Sequence, residues 1–172
     1  MSKRTAWCWA PGSWRNCRLA ACRTRWWPAS APVARLIGVG QAFRAINPAV
    51  RLFAMEPSES CTLLCGEIAL HQIEGISDGF VPGIFQRHAS LVDEVLSVSS
   101  GEAIESMRHL ARRHGLFCGP SSGAHLLAAR RVRERHPELR TVVTLFCDEG
   151  EKYLQEHFMR GDSVTVNAGH FA

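Results

Sequence analysis

The stretch Gly115-Leu116-Phe117-Cys118-Gly119-Pro120-Ser121-Ser122-Gly123-Ala124 constrains this chain more than any other. A short apolar run ends there in a glycine and serine turn, and an arginine-rich helical pattern follows directly. Such a turn feeds a helix N-terminus. Its small side chains let a flat ligand approach the backbone, and its serine hydroxyls either cap the helix or bond a ligand. The residues alone leave both roles open.

Around this turn, strand and helix patterns alternate. Residues 37–48 read as a helix stopped by Asn47-Pro48. A mostly apolar strand follows from Val50 to Glu56, ended by Pro57-Ser58. Residues 57–92 are loop-rich, and their glycine-spaced segment from Gly75 to Pro82 can make turns or lie against a ligand. A second strand is expected over Val92–Val98. Ser99-Ser100-Gly101-Glu102 is a capping box that opens a helix over about 100–114. Ala103, Ile104, Met107, Leu110 and Ala111 form the apolar stripe of that helix.

The next helix is expected over about 121–135. Its Arg130, Arg131, Arg133 and Arg135 suit a solvated face beside a helix C-terminus, where cations favour the dipole, better than a nucleic-acid contact. Thr141–Cys147 reads as a buried strand, and Asp148-Glu149-Gly150-Glu151 turns the chain into a short helix ending near Phe158. Continuous apolar strands alternating with helices predict an α/β fold of three layers, a mostly parallel sheet flanked by helices. Ligands in such folds sit beyond the C-terminal ends of strands. Cys118–Ser122 and Cys147–Gly150 both fall at such ends.

At 172 residues the length suits one domain with its own core. Charge divides the chain unevenly. Of its 20 Lys and Arg, nine precede Glu56, the first acidic residue, and 11 follow it among all 16 Asp and Glu. The first 35 residues also hold all five tryptophans and show neither helical nor strand periodicity. They are Trp- and Cys-rich rather than amphipathic and Ser-rich, unlike a transit peptide, and they lack the apolar core of a secretory signal. They read as unassignable, disordered or read out of frame from GC-rich DNA. Residues 36–158 make the folded unit, and 159–172 a tail. No apolar run reaches the length of a membrane span. The seven cysteines lack zinc spacing, so no metal site is expected, and Cys118 and Cys147 read as buried small hydrophobes suited to the cytoplasm.

Four segments taken together resemble the C-terminal half of the cysteine synthase and cystathionine β-synthase family. They are Gly38-Val39-Gly40 with Asn47-Pro48; Met55-Glu56-Pro57-Ser58-Glu59-Ser60; His71 to Pro82; and Gly119 to Ala124 with Gly150-Glu151-Lys152-Tyr153-Leu154. The resemblance covers about residues 36–158. It implies the tryptophan-synthase-β-like fold in part and pyridoxal 5'-phosphate as cofactor. The reaction it implies is a β-replacement such as O-acetylserine plus sulfide giving cysteine and acetate. It further implies an amino-acid substrate and a homodimer in intact relatives, with no nucleic-acid or membrane partner.

By the same resemblance Ser121 bonds the pyridine nitrogen, and Gly75 with its neighbours lines the ring. A neutral hydroxyl at that nitrogen leaves the ring unprotonated and favours β-elimination. His71, Asp78 and Asp148 are expected at structural or rim positions. The family holds its cofactor as a Schiff base on a lysine. This chain has only Lys3 and Lys152, neither in that place, so no catalytic residue is assigned. Where the family has a glycine-rich phosphate turn, the chain has Ala31-Pro32-Val33-Ala34-Arg35. Proline removes an N–H that a phosphate nest needs. The chain is therefore expected to be inactive alone, the N-terminal half of the family's fold being absent. A non-catalytic half-domain acting as an interaction module is the alternative.

Overall fold

In a computed structural model of the chain, the described residues are 26–28, 33–76 and 79–159, with side chains described from Arg35 onward. Three parallel strands form one sheet: β1 (Trp26–Pro28), β2 (Arg51–Pro57) and β3 (Glu94–Val98), in that spatial order. Trp26 pairs with Arg51 at one side of β2, and Phe53 pairs with Glu94 at the other. Four α-helices accompany them: α1 (Val33–Ile46), α2 (Gly83–His88), α3 (Ser100–His114) and α4 (Pro120–Arg135).

The two faces of β2 explain why its sequence reads as an unbroken apolar run. Phe53 and Met55 face a core with Leu96 and Val98 of β3 and with Ala103, Ala124, Ala128 and Val132 of α3 and α4. Leu52 and Ala54 face a second core with Leu36 of α1 and Phe85 of α2. A strand covered on both faces has no polar side to show, hence the loss of alternation. Helices on both faces of a parallel sheet make the three expected layers. Each large side chain so buried, such as Phe53 or Leu52 at 0 % exposure, contributes about 1.5–3 kcal/mol of transfer free energy.

Local chemistry sets the helix ends. The α1 helix stops at Asn47, whose Oδ1 accepts the Ala49 N–H at 3.1 Å while the Val50 N–H returns to the Asn47 carbonyl. The expected capping box opens α3: Ser99 accepts from the Glu102 N–H, and Glu102 accepts from the Ser99 N–H. Gly115, at φ 64°, closes it in the left-handed region that glycine enters without steric cost. The α4 arginines are more engaged than a solvated face implies. Arg131 pairs with Glu102 and donates to the Ser97 carbonyl, and Arg135 pairs with Glu94.

Three findings differ from the sequence reading. Trp26–Pro28 and the first turn of α1 supply a strand and a helix start inside the block read as unassignable. A six-residue helix, α2, stands in the region read as loop. Residues 141–147 join no strand ladder and are only half-buried throughout. An apolar run reports burial, whereas a strand also needs a neighbour's backbone in register. Here the nearest ladder contact is one antiparallel bridge between Cys118 and Glu149. The Thr144 Oγ1 atom is buried there with no partner among the described residues.

Candidate active site

Two connections attach residues 141–148 to the start of α4. Ser122 Oγ accepts the Cys147 N–H at 3.1 Å, and the His125 ring nitrogen Nδ1 donates to the Leu145 carbonyl at 2.8 Å. A carbonyl can only accept, so the proton is on Nδ1. His125 is fully buried, and burial drops its pKa to about 4. It is a neutral structural histidine.

The turn itself is built around glycines used for packing. A Cβ on Gly123 would stand 2.7 Å from Met107 N and nearer still to the Ala103 carbonyl oxygen, so Gly123 lets α4 cross α3 at backbone contact. A Cβ on Gly119 would come within 2.5 Å of Tyr153 Cε2 and 3.2 Å of Asp148 Cβ. Tyr153 is 1 % exposed and donates its hydroxyl to Asp148 Oδ2 at 2.7 Å. The Gly119 N–H in turn donates to the Asp148 carbonyl, and the Gly150 N–H to the Phe117 carbonyl. Asp148 is thus a clamp between the turn and the 3-10 turn over Gly150–Tyr153, as its expected structural role requires.

Ser121, in the first turn of α4, is 3 % exposed. Unlike Ser122, it takes no part in the tie to the Cys147 N–H. Gly119 occupies the N-cap and offers no side chain, and Pro120 fills the first helical position, where a missing N–H costs nothing. Neither serine caps the helix, the first of the roles the sequence left open; Ser122 instead ties the neighbouring segment. Backbone N–H groups of the first helical turn point the same way.

Gly75 is brought near by a separate link. It has φ 77°, and a Cβ there would meet nothing within 4 Å. Gly75 is exposed, and its positive φ is the left-handed conformation that glycine adopts without strain. Ile73 and Ile76 on either side are buried in the core, and Glu74 pairs with Lys152 at 2.6 Å. Lys152 lies beside Tyr153, so the Gly75 turn, the Tyr153 clamp and the Gly119–Ser121 turn form one connected region. His71 Nδ1 accepts the Ile73 N–H at 3.2 Å, a local turn contact. Asp78 lies outside the described residues.

Two cysteines border the region. Cys118 is buried, and burial raises its thiol above the ordinary value despite a hydrogen bond with Ser122. Cys147, read as buried, is half-exposed. Its thiol is also raised by desolvation, against a hydrogen bond and charge from Arg35. Arg35, in the first turns of α1, therefore reaches this end of the molecule. Lys152, with Glu74 beside it, is the sole lysine among the described residues; hydrogen bonding to Glu74 holds its ammonium above the ordinary range. Sequence reasoning missed the Tyr153–Asp148 clamp and the Ser122–Cys147 tie. The one available signal was that Tyr153 is the single tyrosine in the chain.

Against known proteins, residues 34–148 match the family described as pyridoxal-phosphate dependent enzyme. O-ureido-L-serine synthase of Streptomyces lavendulae is 37 % identical over 126 residues, covering 73 % of this chain and 38 % of the relative. Cysteine synthase B of Escherichia coli K12 is 35 % identical over 135 residues, covering 75 % of this chain and 41 % of the relative. The crystal structure of an O-acetylserine dependent cystathionine β-synthase from Helicobacter pylori superposes with a TM-score of 0.70 at 34 % identity, covering 77 % of this chain and 42 % of that one. The chain spans about two-fifths of the length of these relatives.

Proposed function

We propose, for a chain that belongs to the pyridoxal-phosphate dependent enzyme family, that its site carries the pyridine-nitrogen end of a cysteine synthase-type centre and performs no β-replacement alone. The observation that carries this reading is Ser121, 3 % exposed in the first turn of α4, on a turn whose other serine is already engaged with Cys147. When bound, pyridoxal phosphate supplies an electron sink for breaking bonds at the α and β carbons of an amino acid. In this proposal Ser121 donates its hydroxyl proton to the unprotonated ring nitrogen, and Gly75 offers the side-chain-free face beside it.

The residues fit that end of the cofactor and not its other two. The aldehyde needs a lysine, and Lys152 is exposed and held by Glu74. The phosphate needs a nest of N–H groups. Ala31 and Pro32 lie outside the described residues, and the next residues already belong to α1. Arg35 supplies a charge near Cys147 without supplying such a nest.

The test is a titration of the whole chain with pyridoxal phosphate, followed by amide NMR and visible absorbance. Expected are shifts centred on Gly119–Ala124 and Gly75 that Ser121→Ala abolishes. No visible band of a lysine-bound cofactor should appear, nor any cysteine from O-acetylserine and sulfide. A band accompanied by turnover overturns the inactivity, and shifts elsewhere overturn the assignment of Ser121.

A second reading, a half-domain that pairs with another chain, is favoured by one surface. Leu70 is 95 %, Ile68 65 % and Phe80 62 % exposed, and Gly79 brings the last two segments together, its Cβ position lying 3.4 Å from Ile68. Clustered exposed apolar groups mark interaction surfaces. Light scattering during size-exclusion separates a defined oligomer from monomer or aggregate.

A further inference from the structure

Cys61 and Cys65 stand on one turn of the connection that runs from the end of β2 to Gly75, and they form a disulfide with Cα atoms 5.2 Å apart. The Cys65 N–H donates to the Cys61 carbonyl at 3.0 Å, and the Glu67 N–H donates to the same oxygen at 3.1 Å. The turn is anchored from below by a buried carboxylate. Glu56, 1 % exposed, accepts the Leu63 N–H at 2.7 Å and the Leu64 N–H at 3.1 Å, and its Oε1 lies 3.4 Å from Cys61 Sγ.

The two sulfurs have unlike surroundings. Cys61 is 7 % exposed, whereas Cys65 belongs to the exposed run that follows it. The free cysteines of the described residues differ from both, since burial raises the thiols of Cys118 and Cys147 and so depletes the reactive thiolate. Access therefore singles out one sulfur.

We propose that Cys61–Cys65 is a reversible exchange site for low-molecular-weight thiols, with Cys65 the sulfur that is attacked. A thiolate RS⁻ bonds to Cys65 Sγ, the bond between the two cysteine sulfurs breaks, and its electron pair leaves on Cys61, which takes up a proton. A second thiolate attacks the R-bearing sulfur of the mixed disulfide, releasing Cys65, which is protonated, and RSSR. Two thiols are oxidised and the protein disulfide is reduced by two electrons; RSSR drives the reverse.

Glu56 controls how fast the bond opens. Negative charge must develop on Cys61 beside a buried carboxylate, and a poorer leaving thiolate departs more slowly. The Glu56–Leu63 and Glu56–Leu64 bonds keep the turn seated after opening. What is released is the covalent tie across residues 61–65, upstream of the Gly75 turn.

The experiment uses the full chain with Cys8, Cys17 and Cys22 changed to serine, equilibrated with reduced and oxidised glutathione, then acid-quenched, alkylated and mapped by mass spectrometry. Cys61 and Cys65 should gain alkyl label together under reducing conditions, while the labelling of Cys118 and Cys147, free thiols in either buffer, should not change with the redox state. The glutathione adduct should fall on Cys65. Amide hydrogen exchange over residues 58–76 should rise on reduction and leave α3 unchanged, and Cys65→Ser should show the raised pattern in every buffer. Glu56→Gln should speed opening by roughly tenfold, through a leaving thiolate no longer facing a carboxylate. An adduct on Cys61, a glutathione adduct on Cys118 or Cys147 in place of Cys65, or exchange over 58–76 that ignores the redox state would overturn the proposal. These readouts on the otherwise unaltered protein hold even if one of the substituted variants fails to fold.

Discussion

Tyr153 donates its hydroxyl to Asp148 Oδ2 at 2.7 Å while its ring edge occupies the space that a side chain at Gly119 would need. One residue thus fixes both the segment after residue 147 and the turn that carries Ser121. The hydrogen bond is local in sequence, but the packing against Gly119 spans the fold.

Tyr153→Phe isolates the hydroxyl. The ring stays, so Gly119 keeps its neighbour, and Asp148 is half-buried, so water can replace the lost donor. The expected cost is about 1 kcal/mol. Burial, then the bond to Asp148, raises the Tyr153 phenol to about 12. Because the folded value lies above the unfolded one, the stabilisation is complete below about pH 10 and is lost as pH rises through about 12. Urea midpoints of wild type and Tyr153→Phe across that window should converge. Parallel curves would contradict the assignment.

Glycine-to-alanine substitutions at three sites should rank by what the new methyl meets. At Gly38, inside α1, nothing lies within 4 Å, and alanine should stabilise by about 0.5–1 kcal/mol through helix propensity. At Gly119 the obstacle is chiefly a side-chain ring that can shift, for a cost of about 1–3 kcal/mol. At Gly123 the obstacles are the backbone atoms of Ala103 and Met107, which move only if α3 and α4 separate, so the loss should be the largest of the three. Chemical denaturation of the three variants gives the order directly. Gly123→Ala proving milder than Gly119→Ala would refute the close crossing.

The parts of this fold that were legible in advance were those whose cause is local. Ser99, Glu102 and Gly115 bound α3 by chemistry within a few residues, and Asn47 stops α1 the same way. The apolar run of β2 was legible because both sheet faces are covered. Residues 141–147 misled for a physical reason: their composition reports contact with apolar surroundings, and ladder pairing depends on a backbone neighbour that composition does not encode. At the site, the turn at Gly119–Gly123 was readable as a whole, but the division between Ser121 and Ser122 was not. It depends on where Cys147 arrives from 25 residues away. The Glu74–Lys152 pair that draws Gly75 toward Tyr153 spans 78 residues and is likewise invisible to local pattern.

Ser122→Ala should act on the fold rather than on any ligand. It removes the acceptor of the Cys147 N–H and leaves that half-buried donor to solvent, for a loss of about 1 kcal/mol. Amide exchange at Cys147 should rise, whereas Ser121→Ala should leave it unchanged. Equal effects of the two substitutions would mean that the serines are not divided as described.

His125 makes the most distinct pH prediction. Burial lowers its pKa from 6.5 to about 4, with the Leu145 carbonyl opposing that shift. The folded state therefore binds this proton more weakly than the unfolded chain does. Stability from the neutral ring is fully present above about pH 6.5 and declines as pH falls toward about 4, by about 2–3 kcal/mol in all. His157 is also lowered by burial and titrates in the same direction, so the slope of wild type alone does not identify the residue. His125→Phe is less stable at neutral pH, because the Leu145 carbonyl loses its donor, but it carries no proton at that position. The difference between wild type and His125→Phe in urea midpoint should therefore shrink as pH drops from 7 to 4. A constant difference would show that the folded and unfolded chains bind this proton equally, so that burial does not lower the His125 pKa.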